Sequence, residues 1–229
     1  VSYFSNSNIK LVSGPVAFNR KIGVFQSLQA LEFSSLIVSG AGAIGINNAI
    51  FCNGANMAYR KEVFLELNNF HNSSTVSGDD VFLLHSVKAK YPNSIVFAND
   101  EGAIVKTEST QNFSEFINQR KRWTAKSSYY IDKASIYVSY LVLLTNLTFV
   151  FLFSMLFFNN FFFQFFMFFY LIKFIIDLLL LYPILMFLNQ KYLIKWIFIF
   201  EFFYSFYIIL IVLFSFTTKF EWKGRIHKR

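Results

Sequence analysis

Charge is scarce in this chain: Asp, Glu, Lys and Arg make up 15% of it, against 55% hydrophobic residues. A surface wetted on every side is hard to build from that mixture, so an ordinary soluble domain does not account for the whole sequence. Cysteine is scarcer still. Cys52 stands alone, which rules out an internal disulfide and a cysteine-rich metal site. The histidines (His71, His85 and His227) are too scattered for zinc-ligand spacing. No Asp precedes Asp79. Nothing at Val1 has the pattern of a signal peptide, and a start at Val in place of Met leads us to expect a truncated chain.

What is abundant is phenylalanine, with 33 residues gathered mostly in the last hundred. A codon bias toward Phe, Ile, Asn, Lys and Tyr explains part of that number, but not runs that exclude charge. Ile136–Phe158 is such a run, long enough at about 1.5 Å per residue to cross a hydrocarbon core of about 30 Å. After the polar break at Asn159 and Asn160 come two more candidate spans, Phe161–Tyr182 and Tyr192–Phe214. The expected organisation is therefore a polar part, 1–135, and a membrane region, 136–229, of three hydrophobic helices and a basic tail. The net charge of +8 is unevenly shared: 13 basic and 10 acidic residues before Ile136, then 8 and 3. Basic residues at segment ends suit anionic lipid headgroups, not nucleic acid.

Topology contains a conflict. With the polar part in the cytosol, three crossings put the tail outside. Yet Lys219, Lys223, Arg225, Lys228 and Arg229 belong inside by the positive-inside rule. One stretch is then an interfacial helix or a hairpin.

In the polar part, Ile22, Phe25, Leu28, Leu31 and Ser35 recur at helical spacing, with Gln26, Gln29 and Glu32 on the expected wet side. A flexible Gly40–Gly45 loop follows. Helices are expected over Tyr59–Leu67, from Asp79 to Pro92 and over Ser114–Lys126, with a short strand at Ile95–Ala98.

Two motifs carry chemistry. Gly78-Asp79-Asp80 puts two acids at a helix start, where free N–H groups favour negative charge. Such a pair suits a general base, because a neighbouring like charge raises one carboxylate above the other. It equally suits a solvated helix end. Gln119-Arg120-Lys121-Arg122-Trp123 places Gln119, Arg122 and Trp123 three and four apart on one helix face. A guanidinium clamps phosphate oxygens and an indole floors a sugar ring. The same Trp also suits a membrane interface.

In this order the segments resemble the catalytic end of membrane-bound family 2 glycosyltransferases. Phe51–Arg60 resembles their acceptor-side loop. Gly-Asp-Asp is similar to the variant in hyaluronan- and chitin-synthase-like members, and Gln-x-x-Arg-Trp agrees at each fixed position. Thr107 and Trp222-Lys223-Gly224-Arg225 fit the same pattern. The resemblance implies an α/β GT-A-like partial domain followed by an α-helical transmembrane region. It implies an inverting transfer of a sugar, of the hexosyl type, from a nucleotide-sugar to a hydroxyl of a glycan or lipid at the cytosolic membrane face. Asp80 would be the base with Asp79 beside it. Gln119, Arg122 and Trp123 would contact substrate, and Asn53, Gly54 and Asn56 would shape the acceptor groove. Mg2+ or Mn2+ is expected for the intact enzyme. The early nucleotide-binding Asp and the Asp-x-Asp of the family have no counterpart here, so the fragment is expected to be inactive alone.

Other features carry less. Gly40-Ala41-Gly42-Ala43-Ile44-Gly45 fits a dinucleotide fingerprint, but no second strand–helix unit follows it. The sequons at Asn72, Asn112 and Asn146 are uninformative in a cytosolic or buried setting. Lys173 and Asp177 form an i, i+4 pair inside a span, while Glu201 has no evident mate. A non-catalytic membrane subunit, a decayed remnant and a small transporter stay open as alternatives; a cavity shared by Lys173, Asp177 and Glu201 would favour the last.

Overall fold

The computed structural model describes residues 2–67, 79–217, 220–222 and 225–227, with side chains up to residue 215. Gly78, Asn72, Lys223 and Gly224 lie outside them.

The order of elements is β1 (Leu11–Ser13), β2 (Val16–Phe18), α1 (Val24–Gly45), β3 (Met57–Tyr59), α2 (Lys61–Leu67), α3 (Asp79–Lys90), β4 (Ile95–Phe97), β5 (Val105–Thr107), α4 (Phe113–Ser127), α5 (Lys133–Met155), α6 (Phe162–Phe187), α7 (Ile197–Thr217) and the β6–β7 hairpin (Phe220–Trp222, Arg225–His227). β1 is central in a sheet ordered β3-β1-β4, antiparallel to β3 and parallel to β4, and β2 pairs in parallel with β5. Every residue of β1 and β2 is buried, so these short strands carry no alternating pattern. That is why the sequence reads as a loop there. Tyr59 belongs to β3 and not to the following helix, which begins at Lys61.

α1 overturns two expectations. Gly40–Gly45 is the end of the helix, not a flexible loop. Gly40 is small because the chain of Phe51 crosses it: a Cβ there would stand 2.9 Å from the Phe51 carbonyl oxygen. The expected wet side is buried as well. Gln29 and Glu32 are buried, whereas Ile22 is 98% exposed. Gln29 binds Thr110, its Oε1 accepting from the hydroxyl at 2.7 Å. Left-handed Asn47 and Asn189 close α1 and α6, and in each case a backbone N–H one residue further on reaches back into the helix.

α1 joins the two parts of the chain. One apolar core runs from Val16, Phe18, Leu31, Phe33 and Ile37 to Leu181, Leu185, Leu193 and Ile197. A second lies under α3 with Leu84, Val87, Cys52 and Leu11, and a third joins Phe149 to Phe166 and Tyr170. Four helices are long and apolar enough to cross a membrane, by length and composition: the three expected ones and α1. β1 and β2 precede α1, yet pair with β3, β4 and β5 beyond it. Its flanks thus share one side, and α1 does not separate two compartments.

A buried ion pair fixes how α4 and α7 sit on α1. Arg120 donates from Nε to both carboxylate oxygens of Glu32, at 3.0 and 2.9 Å, and its Nη2 is 2.7 Å from Oε2. The Tyr207 hydroxyl of α7 donates to the same carboxylate at 2.8 Å. Removing one partner strands the other charge in a dry setting, at a cost of about 3–5 kcal/mol. Glu32→Ala is therefore expected to lower the melting temperature in detergent strongly, while Glu32→Leu with Arg120→Met recovers much of the loss. A double variant no better than the single one would contradict this account.

Candidate active site

Asp79 and Asp80 open α3, and they differ: Asp79 is exposed and Asp80 half-buried. One oxygen of Asp80 accepts the Gly54 backbone N–H at 3.0 Å, and the Cys52 thiol donates to its main-chain carbonyl at 3.4 Å. A Cβ on Gly54 would press on the Asp80 side chain at 3.2 Å, so glycine keeps this approach open. The loop that holds Gly54 is itself pinned. Asn53 caps Ala55 through its side chain at 3.0 Å. Asn56 donates both amide hydrogens inward, to Pro15 at 2.8 Å and Ala103 at 2.7 Å, tying the loop to both sheets.

Across from this loop lies α4. Arg122 and Lys126 stand one turn apart, and both feel the Asp80 charge; Lys126 also feels Asp79. Burial lowers both cations from their ordinary values, with Asp80 opposing that shift. Burial also pushes the Tyr130 phenol up to about 12, with Asp80 adding to it. The Cys52 thiol is raised by burial and then by Asp80, which makes it an inert packing group and not a nucleophile.

The structure divides the Gln-x-x-Arg-Trp face. Arg122 belongs electrostatically with Asp80, whereas Trp123 packs toward α1, 6.4 Å from Phe33 between ring centroids. The Arg120 guanidinium lies 4.2 Å from the Trp123 ring centroid, and its Nη1 donates to Gln119 at 2.8 Å. Asp80, Gly54 and Arg122 are thus brought together. Asn53 and Asn56 brace the loop, and Gln119 and Trp123 sit on the Arg120 side of α4. Sequence reasoning missed Lys126, one turn beyond Arg122 on α4, and Tyr130, just past the end of that helix. Among the described residues no three His, Cys, Asp or Glu side chains group closely enough for a metal ion. The residues present do not fit the expected Mg2+ or Mn2+ site.

Residues 2–220 match the family model described as Glycosyl transferase family group 2. The chain belongs to that family. Family membership supports a transferase using a nucleotide-sugar donor and an acceptor. The small sheets with many helices fit a partial GT-A-like domain with a helical region. No curated protein matches the chain.

The base of α3 is clamped to the start of α5. Lys88 pairs with Asp132 at 2.7 Å, Asp132 caps Ser135, and the Ser135 hydroxyl lies 2.9 Å from His85 Nε2. Burial alone would raise the Asp132 carboxyl, but Lys88 and the Ser135 hydrogen bonds bring it below its ordinary value. Burial lowers the His85 imidazole, and the Ile50 carbonyl only partly offsets this. Both groups have folded values below unfolded ones. Their stabilisation is present at high pH and lost on acidification, for His85 from about 6.5 downward and for Asp132 below about 3.9. Melting temperature is expected to fall between pH 7 and 5, and His85→Gln is expected to flatten that slope. An unchanged slope in the folded variant would remove His85 from the account.

Proposed function

We propose that this chain forms the acceptor side of an inverting, membrane-bound sugar transferase, with Asp80 as the base. The observation that carries this reading is the setting of Asp80: a half-buried carboxylate at a helix start, held by the Gly54 N–H and facing two cations of α4. The Gly54 and Val81 N–H groups, one on each oxygen, orient the carboxylate without neutralising it. Asp80 takes the proton of an acceptor hydroxyl as its oxygen bonds to the anomeric carbon and the bond to the nucleoside diphosphate breaks. Arg122 and Lys126 are the groups placed to meet negative charge there, since preorganised cations in a half-dry cleft need little rearrangement. Trp123, packed toward α1 with Arg120 stacked upon it, acts by holding the helix that carries these cations. Asn53, Gly54 and Asn56 hold the shape of the acceptor loop, Gln119 joins through Arg120, and Asp79 adds charge at the mouth. Donor-base recognition and the divalent ion fall to residues other than those described.

In this reading the acceptor is a glycan or lipid, and the site faces the cytosol at the cytoplasmic membrane. α5 and α6 cross, and α7 lies along the interface. The segment leading into α7 packs on α1, its later turns pack on α4, and β6 returns to α4. In this reading the β6–β7 hairpin lies on the same side as Asp80, which agrees with the positive-inside rule.

The test is Asp80→Asn in the intact enzyme. Loss of the base should lower kcat by about a hundredfold or more, with the variant still folded and membrane-bound. Near-normal transfer would sink the assignment. Asp79→Asn, on the exposed neighbour, should cost far less.

A further inference from the structure

A second polar cluster, unrelated to sugar transfer, is buried between α6 and α7. Lys173 Nζ lies 2.7 Å from Asp177 Oδ2 and also pairs with Glu201 Oε1. Glu201 is fully buried, while Asp177 keeps 32% of its side chain exposed. Two carboxylates therefore face one ammonium, in a region where an uncompensated charge is costly. The other oxygen of Glu201, Oε2, has no hydrogen-bond partner among the described residues. The Ser205 hydroxyl, one turn further along α7 and fully buried, has none either.

We propose that this cluster binds one proton, carried on Glu201 Oε2. The added hydrogen neutralises the excess negative charge, leaves Oε1 to accept from Lys173, and gives Oε2 a proton to donate. A metal cation is the poorer occupant, because the ammonium already present repels it. Among the described residues no other group nearby supplies the missing positive charge. On α6 the neighbours are Lys173, Asp177 and Tyr170. On α7 they are Tyr204, whose ring centroid lies 5.6 Å from Lys173 Nζ, and Tyr207. Arg120 of α4 is committed to Glu32 of α1. α5 offers the neutral Asn146 and apolar rings, and Lys195, before α7, is exposed.

Infrared spectroscopy of the full chain in nanodiscs, with glutamate carboxyls carbon-13 labelled, tests this without reference to transfer. At neutral pH a protonated-carboxyl C=O band that shifts with the label is expected, and Glu201→Gln should abolish it with the melting temperature nearly unchanged. Asp177→Asn should also remove the band, since one ammonium then balances one carboxylate. Lys173→Met should keep the band, because Glu201 then has no ammonium beside it. Absence of the band in the folded wild type would overturn the proposal. So would a large drop in melting temperature in Glu201→Gln, which would mean that Lys173 had lost an ionised partner. A wild-type melting temperature that climbs with sodium chloride and not with choline chloride would assign the site to a metal cation instead.

Discussion

The Glu32–Arg120 pair is the constraint on which the rest of the arrangement depends. It joins α1, which lies under the strands, to α4, which bears the cations facing Asp80, and Tyr207 brings α7 to the same carboxylate. A buried ion pair adds little net stability over apolar packing, but it tolerates few alternative geometries. Here it sets the rotation of α4. With Arg120 turned toward α1, Arg122 and Lys126 turn toward Asp80, and Tyr130 follows just past the end of α4. Trp123, adjacent in sequence, is stacked on the Arg120 side.

That rotation gives the two acids of α3 different characters. Asp79 remains in solvent at the helix end. Asp80 lies against a loop whose amide donors are already occupied, so that the Gly54 N–H is the group that meets it. Both carboxylate oxygens of Asp80 are oriented by backbone N–H groups, one by Gly54 of the braced loop and the other by Val81 of α3. The cations opposite are partly desolvated, which strengthens their field on any phosphate that enters.

The polar part and the apolar helices are not independent bodies. One core passes from β2 and α1 into α6 and the start of α7, and the Lys88–Asp132–Ser135–His85 clamp fixes α5 to the helix that carries Asp80. Movement of the apolar helices is thereby linked to the Asp80 helix through side chains with few alternatives. Within the apolar helices the charged residues meet one another: Glu201, without a mate in sequence, shares Lys173 with Asp177. The pairing between α6 and α7 is invisible along the chain because 28 residues separate its partners.

The sequence by itself determined the long apolar helices, the helix that starts at Asp79 and the basic helix with its Gln-x-x-Arg-Trp motif. Each follows from local rules: uninterrupted apolar length, acids at an N-terminus, and spacing of three and four. The family was legible for the same reason, since its motifs are short contiguous runs. What only tertiary structure decided were the strands of three buried residues, the burial of Gln29 and Glu32, and the division of the α4 face between Asp80 and α1. A local pattern assigns a polar residue to water unless a partner is known. The partner of Glu32 lies 88 residues away, and only folding brings that guanidinium to it.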